Sequence, residues 1–450
     1  MQTIKTKQKD IITFCLIPTI VMFIYLLVNK ILFGSTNNLY SLIMVLLISY
    51  ISTFQYLRDK SILNPLFYFP ILYFLLYWIG NFDFFGLYPD VPIEIWRIYL
   101  IGLLGFYLGC FFIDKLNIDR KTAIKPIDMM SHEARVILFA IFLVCLISKS
   151  IIFLKNGIPM LAQNIDASRQ NAAENFGILK VISSAYPILA IYFFYDYVLT
   201  VKNYQKKKML NILVLSISIL LALLEGSRLL IIQMAIPMLF IWDLKIKKIN
   251  IKKLAFLFLG VLFFIGANKF LRNSLENNEY YSYVMASRGN SLFENIMISS
   301  FSSFRVGIDC FRQLVEVVPH YSSYTYGRMF INSISSFLPG KQIIIGYYVA
   351  ELLGLNFDGM GAATTILGLF YLDGGPFLVF LGMLLFGLFI QYNYKKSLIT
   401  KNVSLVNLVS IYIAYYSIYC LRTNVMPNID PLLTMFYYWV FSIIIKKVRR

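Results

Sequence analysis

The chain has 450 residues, 59% of them hydrophobic and only 14% charged, with a mean hydropathy of +0.70. Soluble domains carry about a quarter of their residues as charge, so a soluble enzyme of two or three domains is excluded; the length instead accommodates many bilayer crossings of about 20 residues each. A net charge of +18 would suit a nucleic-acid binder, but its distribution along the chain makes that reading unnecessary.

The opening MQTIKTKQKD enters an apolar run with no small-residue cleavage site after it, which reads as a retained first span and not a signal peptide. Apolar runs predict membrane helices at about 11–29, 40–57, 65–82, 97–113, 135–154, 178–200, 209–224, 228–243 and 253–270, then at 376–394, 403–421 and 431–445. The fold class is therefore all-α, a polytopic bundle of about 12 transmembrane helices. Three outer regions interrupt it: the Pro-containing turn 83–96, the loop 155–177 and the long segment 271–375. The chain thus divides into 1–270 (helices one to nine), 271–375 (a large outer loop) and 376–450 (the last three helices). A structureless loop of that size is unusual in a compact protein, so helices are expected within it. Ser300–Val318 has an apolar stripe at Phe304, Ile308, Phe311, Val315 and Val318. Arg305, Asp309, Arg312 and Glu316 repeat the spacing one position along, as a salt-bridged ladder would. Residues 361–375 are apolar but too short to span; they are expected to dip into the membrane or pack on the bundle and lead into the next helix.

With the amino terminus inside, alternation puts both termini in the cytoplasm and 26 of the 41 basic residues, against 8 of the 23 acidic ones, on the inner side. The whole excess charge is then cytoplasmic, as the positive-inside bias requires. Arginine and lysine sort differently: the inner side holds 5 Arg and 21 Lys, the outer side 9 Arg and 6 Lys. Topology needs only charge, whereas the guanidinium fork suits phosphate or carboxylate held bidentately. Arg228, Arg288, Arg305, Arg312, Arg328 and Arg422 therefore point to an anionic ligand at the outer face.

The sharpest local feature is Glu225-Gly226-Ser227-Arg228, a tight outer turn in which Ser227 is placed to cap the following helix. A helix amino terminus favours an anion, and Arg228 is held beside it. Lys149, near the outer end of its span, reads as a snorkelling side chain. His320 in the outer loop is a candidate base. The five scattered cysteines and two histidines give no disulfide or metal spacing. No phosphate-binding loop, DxD pair, GxSxG elbow or HExxH motif occurs, and no cofactor is implied.

KNGIPML with IDASRQ, the EGSR turn, YGRMFINSISSFLPGKQ and GMGAATTILGLFYLDGGPFLVFLG follow one another through the second half. In that order they resemble the O-antigen and capsule repeat-unit polymerases (Wzy type) and the enterobacterial common antigen polymerases. The first 130 residues match only in being hydrophobic. The resemblance implies a metal-free GT-C-like integral-membrane glycosyltransferase of the bacterial cytoplasmic membrane, its active site facing outward. Donor and acceptor are undecaprenyl-diphosphate-linked oligosaccharides, with membrane lipid, a flippase and a chain-length regulator as further partners and no nucleic acid. Arg228, Arg328 and Arg422 match the family's basic positions. Ligases of related design carry a histidine where this chain has NFDGMGAATTILG, so polymerase is favoured over ligase. The acceptor hydroxyl needs a base, for which Glu351, Asp358, Asp373, Glu225 and His320 are available, Glu351 being preferred. The rival reading is a lipid-linked oligosaccharide flippase, which needs polar residues lining a path at mid-membrane; here the span centres are nearly free of charge.

Overall fold

The computed structural model describes residues 16–27, 39–59, 61–81, 91–116, 130–162, 175–200, 205–245, 291–335, 345–355, 362–398, 405–422 and 429–448, with isolated positions elsewhere. The expected 253–270 span, apart from a few such positions, lies outside the described residues, as do Arg288 and Asp358. Among the described residues every regular element is helical.

The helices are α1 (Leu16–Leu27), α2 (Leu39–Asp59), α3 (Pro65–Asn81), α4 (Ile93–Lys115), α5 (His132–Asn156), α6 (Gly177–Ser183), α7 (Tyr186–Thr200), α8 (Gln205–Leu224) and α9 (Arg228–Lys245). After them come α10 (Leu292–Val317), α11 (Arg328–Ser335), α12 (Ile345–Leu352), α13 (Gly368–Leu398), α14 (Leu405–Arg422) and α15 (Ile429–Lys447). Helices α1–α9 and α13–α15 overlap the predicted apolar runs, whereas α10, α11 and α12 are helices within the expected 271–375 loop, and α13 begins at Gly368, ahead of the 376–394 run. The 178–200 run is divided by a turn at Ser184–Ala185; Pro187, in the first turn of α7, has no N–H to offer the Ser183 carbonyl four residues back, so a continuous helix is interrupted there. Among the described residues five stretches are long and apolar enough to cross a membrane: Leu39–Asp59, Ile93–Lys115, His132–Leu161, Gly177–Val198 and Gly368–Lys396. Shorter apolar helices run over Leu16–Leu27, Pro65–Trp78, Met209–Leu224, Leu229–Asp243 and Leu408–Leu421.

Burial is distributed as in a bundle solvated by lipid. Phe112, Ile147, Leu154, Leu385 and Phe389 face outward, while Ser218, Asn211, Asp196 and Arg135 are buried. Without water between helices, polar side chains bind them together. Tyr192 donates to the Tyr438 carbonyl at 2.7 Å, and the Tyr68 and Ser417 hydroxyls meet at 3.0 Å. Where the start of α5 meets the end of α7, Asp196 accepts from Met130 N (3.2 Å), Arg135 Nε (3.1 Å) and Nη2 (2.8 Å), and Asn211 Nδ2 (3.1 Å), joining α5, α7 and α8.

The closest helix pair is α4 with α13. A Cβ added at Gly105 would strike the Phe380 carbonyl, and one at Gly109 the Leu384 carbonyl. Opposite them, Gly387 lies against the Phe106 carbonyl. Small residues four apart permit this approach of backbones. Lys395 of α13 then seals the end of α4, donating to the carbonyls of Ile113 and Asp114 at 2.7 Å each. The last carbonyls of a helix lack a following turn to pair with, although Leu116 N also donates to that of Ile113 at 3.1 Å, and a cation suits that end of the dipole.

The expected amphipathic helix exists but begins earlier than Ser300, at Leu292, because Ser291 and Glu294 form a capping box: Glu294 N donates to Ser291 Oγ at 3.2 Å and Ser291 N to Glu294 Oε2 at 3.0 Å. Of the expected stripe Ile308, Phe311 and Val318 are buried and Val315 is partly buried, Phe304 lies outside the described side chains, and Leu314 joins the buried face against α3 and α13. The 361–375 segment packs on the bundle and leads into α13, whose helical path is interrupted at Gly374 and Gly375. At Gly375 φ is +64° and a Cβ would meet the Tyr324 hydroxyl, so no other residue fits there.

Overpacking at a backbone crossing costs about 1–3 kcal/mol. Gly109→Ala is therefore expected to lower the melting temperature of the detergent-purified protein by several degrees. Gly177→Ala, where a Cβ meets nothing within 4 Å, is the neutral control.

Candidate functional site

The Glu225–Arg228 turn is built by two caps back to back. α8 ends in a Schellman motif: Gly226 N donates to the Leu223 carbonyl at 2.8 Å and Ser227 N to the Ala222 carbonyl at 3.1 Å, with φ +62° at Gly226. Gly226 takes that left-handed conformation without a Cβ penalty. Ser227 then starts α9, its Oγ accepting from Leu230 N at 3.4 Å. Arg228 is consequently the first residue of α9.

A side-chain network holds this turn to the bundle. Lys149 Nζ of α5 lies 2.5 Å from Glu225 Oε1, the two side chains being 10% and 16% exposed. Tyr186 of α7 donates to the same oxygen at 3.4 Å. The Lys149 ammonium also sits 5.5 Å from the centre of the Phe153 ring, a cation–π contact. Lys149 is thus not a snorkelling side chain: its charge is turned inward to a carboxylate, which apolar surroundings favour over an unpaired ammonium. Sequence reasoning missed this pair. Its signal was the coincidence of two isolated opposite charges at the outer ends of neighbouring spans.

The second cluster is on α10. Arg305 Nε contacts both Asp309 oxygens at 3.1 Å, Arg312 Nε lies 3.8 Å from Asp309 Oδ1, and Arg312 Nη1 reaches Glu316 Oε1 at 2.5 Å. The ladder read from the sequence is present, but Arg305 is 1% exposed and belongs to the interior. Around it an aromatic series steps outward: Tyr77 stacks on Tyr99 (4.0 Å between centroids), Tyr99 on Phe311 (5.8 Å), and Tyr371 meets Phe311 edge-on (5.7 Å). Arg305 and Arg312 therefore spend charge on carboxylates of their own helix.

The third cluster surrounds Asp373, which is buried beside the break in α13. It accepts from Thr325 Oγ1, from Met329 N at 3.2 Å and from Phe330 N at 3.0 Å. Asp373 thus occupies the amino terminus of α11, where an external anion would otherwise bind. Arg328, at the start of that helix, is exposed, as are His320 in the preceding turn and Glu351 on α12. Arg422 is the last residue of α14. The fold thus joins Ser227 to Arg228 in one turn and Arg305 to Arg312 on one helix, each group held by its own network. Among the described residues no three His, Cys, Asp or Glu side chains gather as a metal site.

Comparison of the chain with protein-family models, with curated proteins and with solved structures finds no match. The class defined by fold and composition is a helical membrane protein with apolar helices long enough to span a bilayer.

The two ion pairs of α10 differ in burial, and so should their worth. Asp309→Ala strands a buried guanidinium and is expected to cost about 3–5 kcal/mol. Arg312→Lys, facing the half-exposed Glu316, is expected to cost at most about 1 kcal/mol. Thermal unfolding of the two variants, followed by circular dichroism, checks the ranking.

Proposed function

We propose that this protein polymerises undecaprenyl-diphosphate-linked oligosaccharide repeat units into a surface polysaccharide on the outer face of the bacterial cytoplasmic membrane. In this reading the chain crosses the membrane about twelve times, with both termini in the cytoplasm and the 271–375 segment outside. The observation that carries the reading is the Glu225–Arg228 turn. Its doubly capped backbone fixes an arginine at a helix amino terminus, next to a partly buried ion pair. The resemblance of this turn and of the segments after it to the repeat-unit polymerases gives the substrate class.

The chemistry suits that arrangement. When the bond between the anomeric carbon and the diphosphate breaks, positive character grows on the sugar and negative charge on the leaving diphosphate. A rigid guanidinium and the dipole of α9 meet that charge without reorganising at the moment of reaction. Arg328 and Arg422 are the further candidates for contacts to the diphosphates of donor and acceptor, with Arg288 assigned to substrate binding. Arg305 and Arg312 are better assigned to building the outer module, because Asp309 and Glu316 already use their charge.

Arg228→Lys keeps the charge but loses the fork. Removing one contact that strengthens in the transition state costs roughly 3–4 kcal/mol, or 10²–10³ in rate. Both Arg228→Lys and Arg228→Ala are therefore expected to abolish ladders of longer glycan from purified lipid-linked repeat unit, with protein accumulation unchanged. Near-normal ladders from Arg228→Lys would reduce the residue to a membrane-surface anchor. In the parent protein, transfer of glycan to lipid A would identify a ligase, and lipid translocation without bond formation a flippase.

Orientation is tested separately by single cysteines at Asn277 and Lys207 in a cysteine-free background. A membrane-impermeant maleimide added to intact cells is expected to label position 277 only. With the native cysteines retained, Cys310 on α10 would react slowly, because burial and the nearby Asp309 charge push its thiol up to about 11.

A further inference from the structure

We propose that Glu225 takes the proton from the acceptor hydroxyl, and that Lys149 and Tyr186 are the positioning residues that hold it for this task; the proposal rests on the polymerase reading of the turn. Of the carboxylates and histidine that the sequence offers as a base, the described ones are sorted by geometry. Both oxygens of Asp373 are engaged in starting α11. Glu351 and His320 stand exposed on the outer segment, on elements separate from the turn. Glu225 lies in the turn itself, one residue after α8 ends and three before Arg228, with its side chain 16% exposed.

The way Glu225 is held also argues for a task beyond stability. A charged pair in apolar surroundings is often no more stabilising than two well-packed apolar residues of similar size. Ionisable groups kept within a membrane bundle mark working sites by default. Here the lysine comes from α5 and the tyrosine from α7, and both contacts fall on Oε1, so the carboxylate is oriented as well as compensated. A base placed this close in sequence to the diphosphate-binding arginine lets one rigid turn address both partners.

The step balances without a further reactant. The acceptor oxygen forms its bond to the donor's anomeric carbon as the bond from that carbon to the diphosphate oxygen breaks. The electron pair of the broken bond leaves on the diphosphate, and the acceptor proton passes to Glu225, from which it is lost to water on the outer side.

The test uses the full chain reconstituted with lipid-linked repeat unit. A general base contributes about 10²–10⁴ in rate. Glu225→Gln and Glu225→Ala are each expected to lower kcat by at least about 100-fold with KM for the lipid-linked unit unchanged. Sodium formate, a small diffusible carboxylate, is expected to restore part of the Glu225→Ala rate and none of the Glu225→Gln rate, where the amide fills the space. The double variant Lys149→Met, Glu225→Leu separates folding from chemistry: it should accumulate and melt like the parent yet extend no chains. Parent-level extension by Glu225→Gln, or absence of formate rescue in a Glu225→Ala protein with parental melting temperature and KM, would overturn the proposal. These outcomes leave the polymerase reading standing, whereas a parent protein that forms no glycosidic bond removes that reading first.

Discussion

A polar group surrounded by hydrocarbon has no water to turn to, and most of the polar contacts in this bundle answer that single constraint. Backbone groups are met first, by making every regular element of the described chain helical. The ends of helices are the remaining exposure, and side chains from other helices close them. Lys395 of α13 covers the last carbonyls of α4, and Asp373 of α13 covers the first amides of α11. One helix thus finishes one neighbour and starts another, which is why α13 lies at the centre of the architecture. Side-chain charges obey the same rule. Arg135 and Asp196 are buried as a pair, with Met130 N and Asn211 completing the carboxylate's partners.

Seen this way, the outer arginines are not equivalent. Arg305 and Arg312 sit in mid-helix with carboxylates one turn away, and their charge is cancelled locally. Arg228 is placed at the start of a helix, where the macrodipole adds to its positive field. A carboxylate does stand next to that turn, yet Glu225 is bound by Lys149. The Lys149 ammonium thus compensates the carboxylate that precedes α9. Charge cancellation on α10 and charge concentration at α9 are two uses of the same residue type, separated by what lies one helical turn away.

The sequence made much of this legible. Long apolar runs located the helices because lipid-facing and core-facing residues are alike hydrophobic, so the signal does not depend on knowing which face is which. Gly226 and Ser227 announced the turn through backbone chemistry that depends on neighbours alone. The ladder on α10 was legible for the same reason, since its spacing is local. What escaped was non-local. Lys149 meets Glu225 only once α5 and α8 are side by side, and Asp373 caps α11 only because Thr325 folds back onto it. The burial of Arg305 depends on α10 lying against α3, which no periodicity on α10 could reveal. The break at Gly374 and Gly375 falls on the boundary drawn between the 361–375 segment and the 376–394 span, because Asp373, the two glycines and Pro376 interrupt the apolar pattern there.

That break has a consequence for how such a chain can change over generations. On its outer side the backbone is tied by Thr325 and Asp373 to α11; on its inner side it is fused by glycine contacts to α4. The two halves meet at a step where glycine stands at position 375, and again where the Phe370 ring lies against Gly382. A side chain at position 375 would therefore be felt on both sides of the step, in the Asp373 contacts that start α11 and in the seating of α13 on α4.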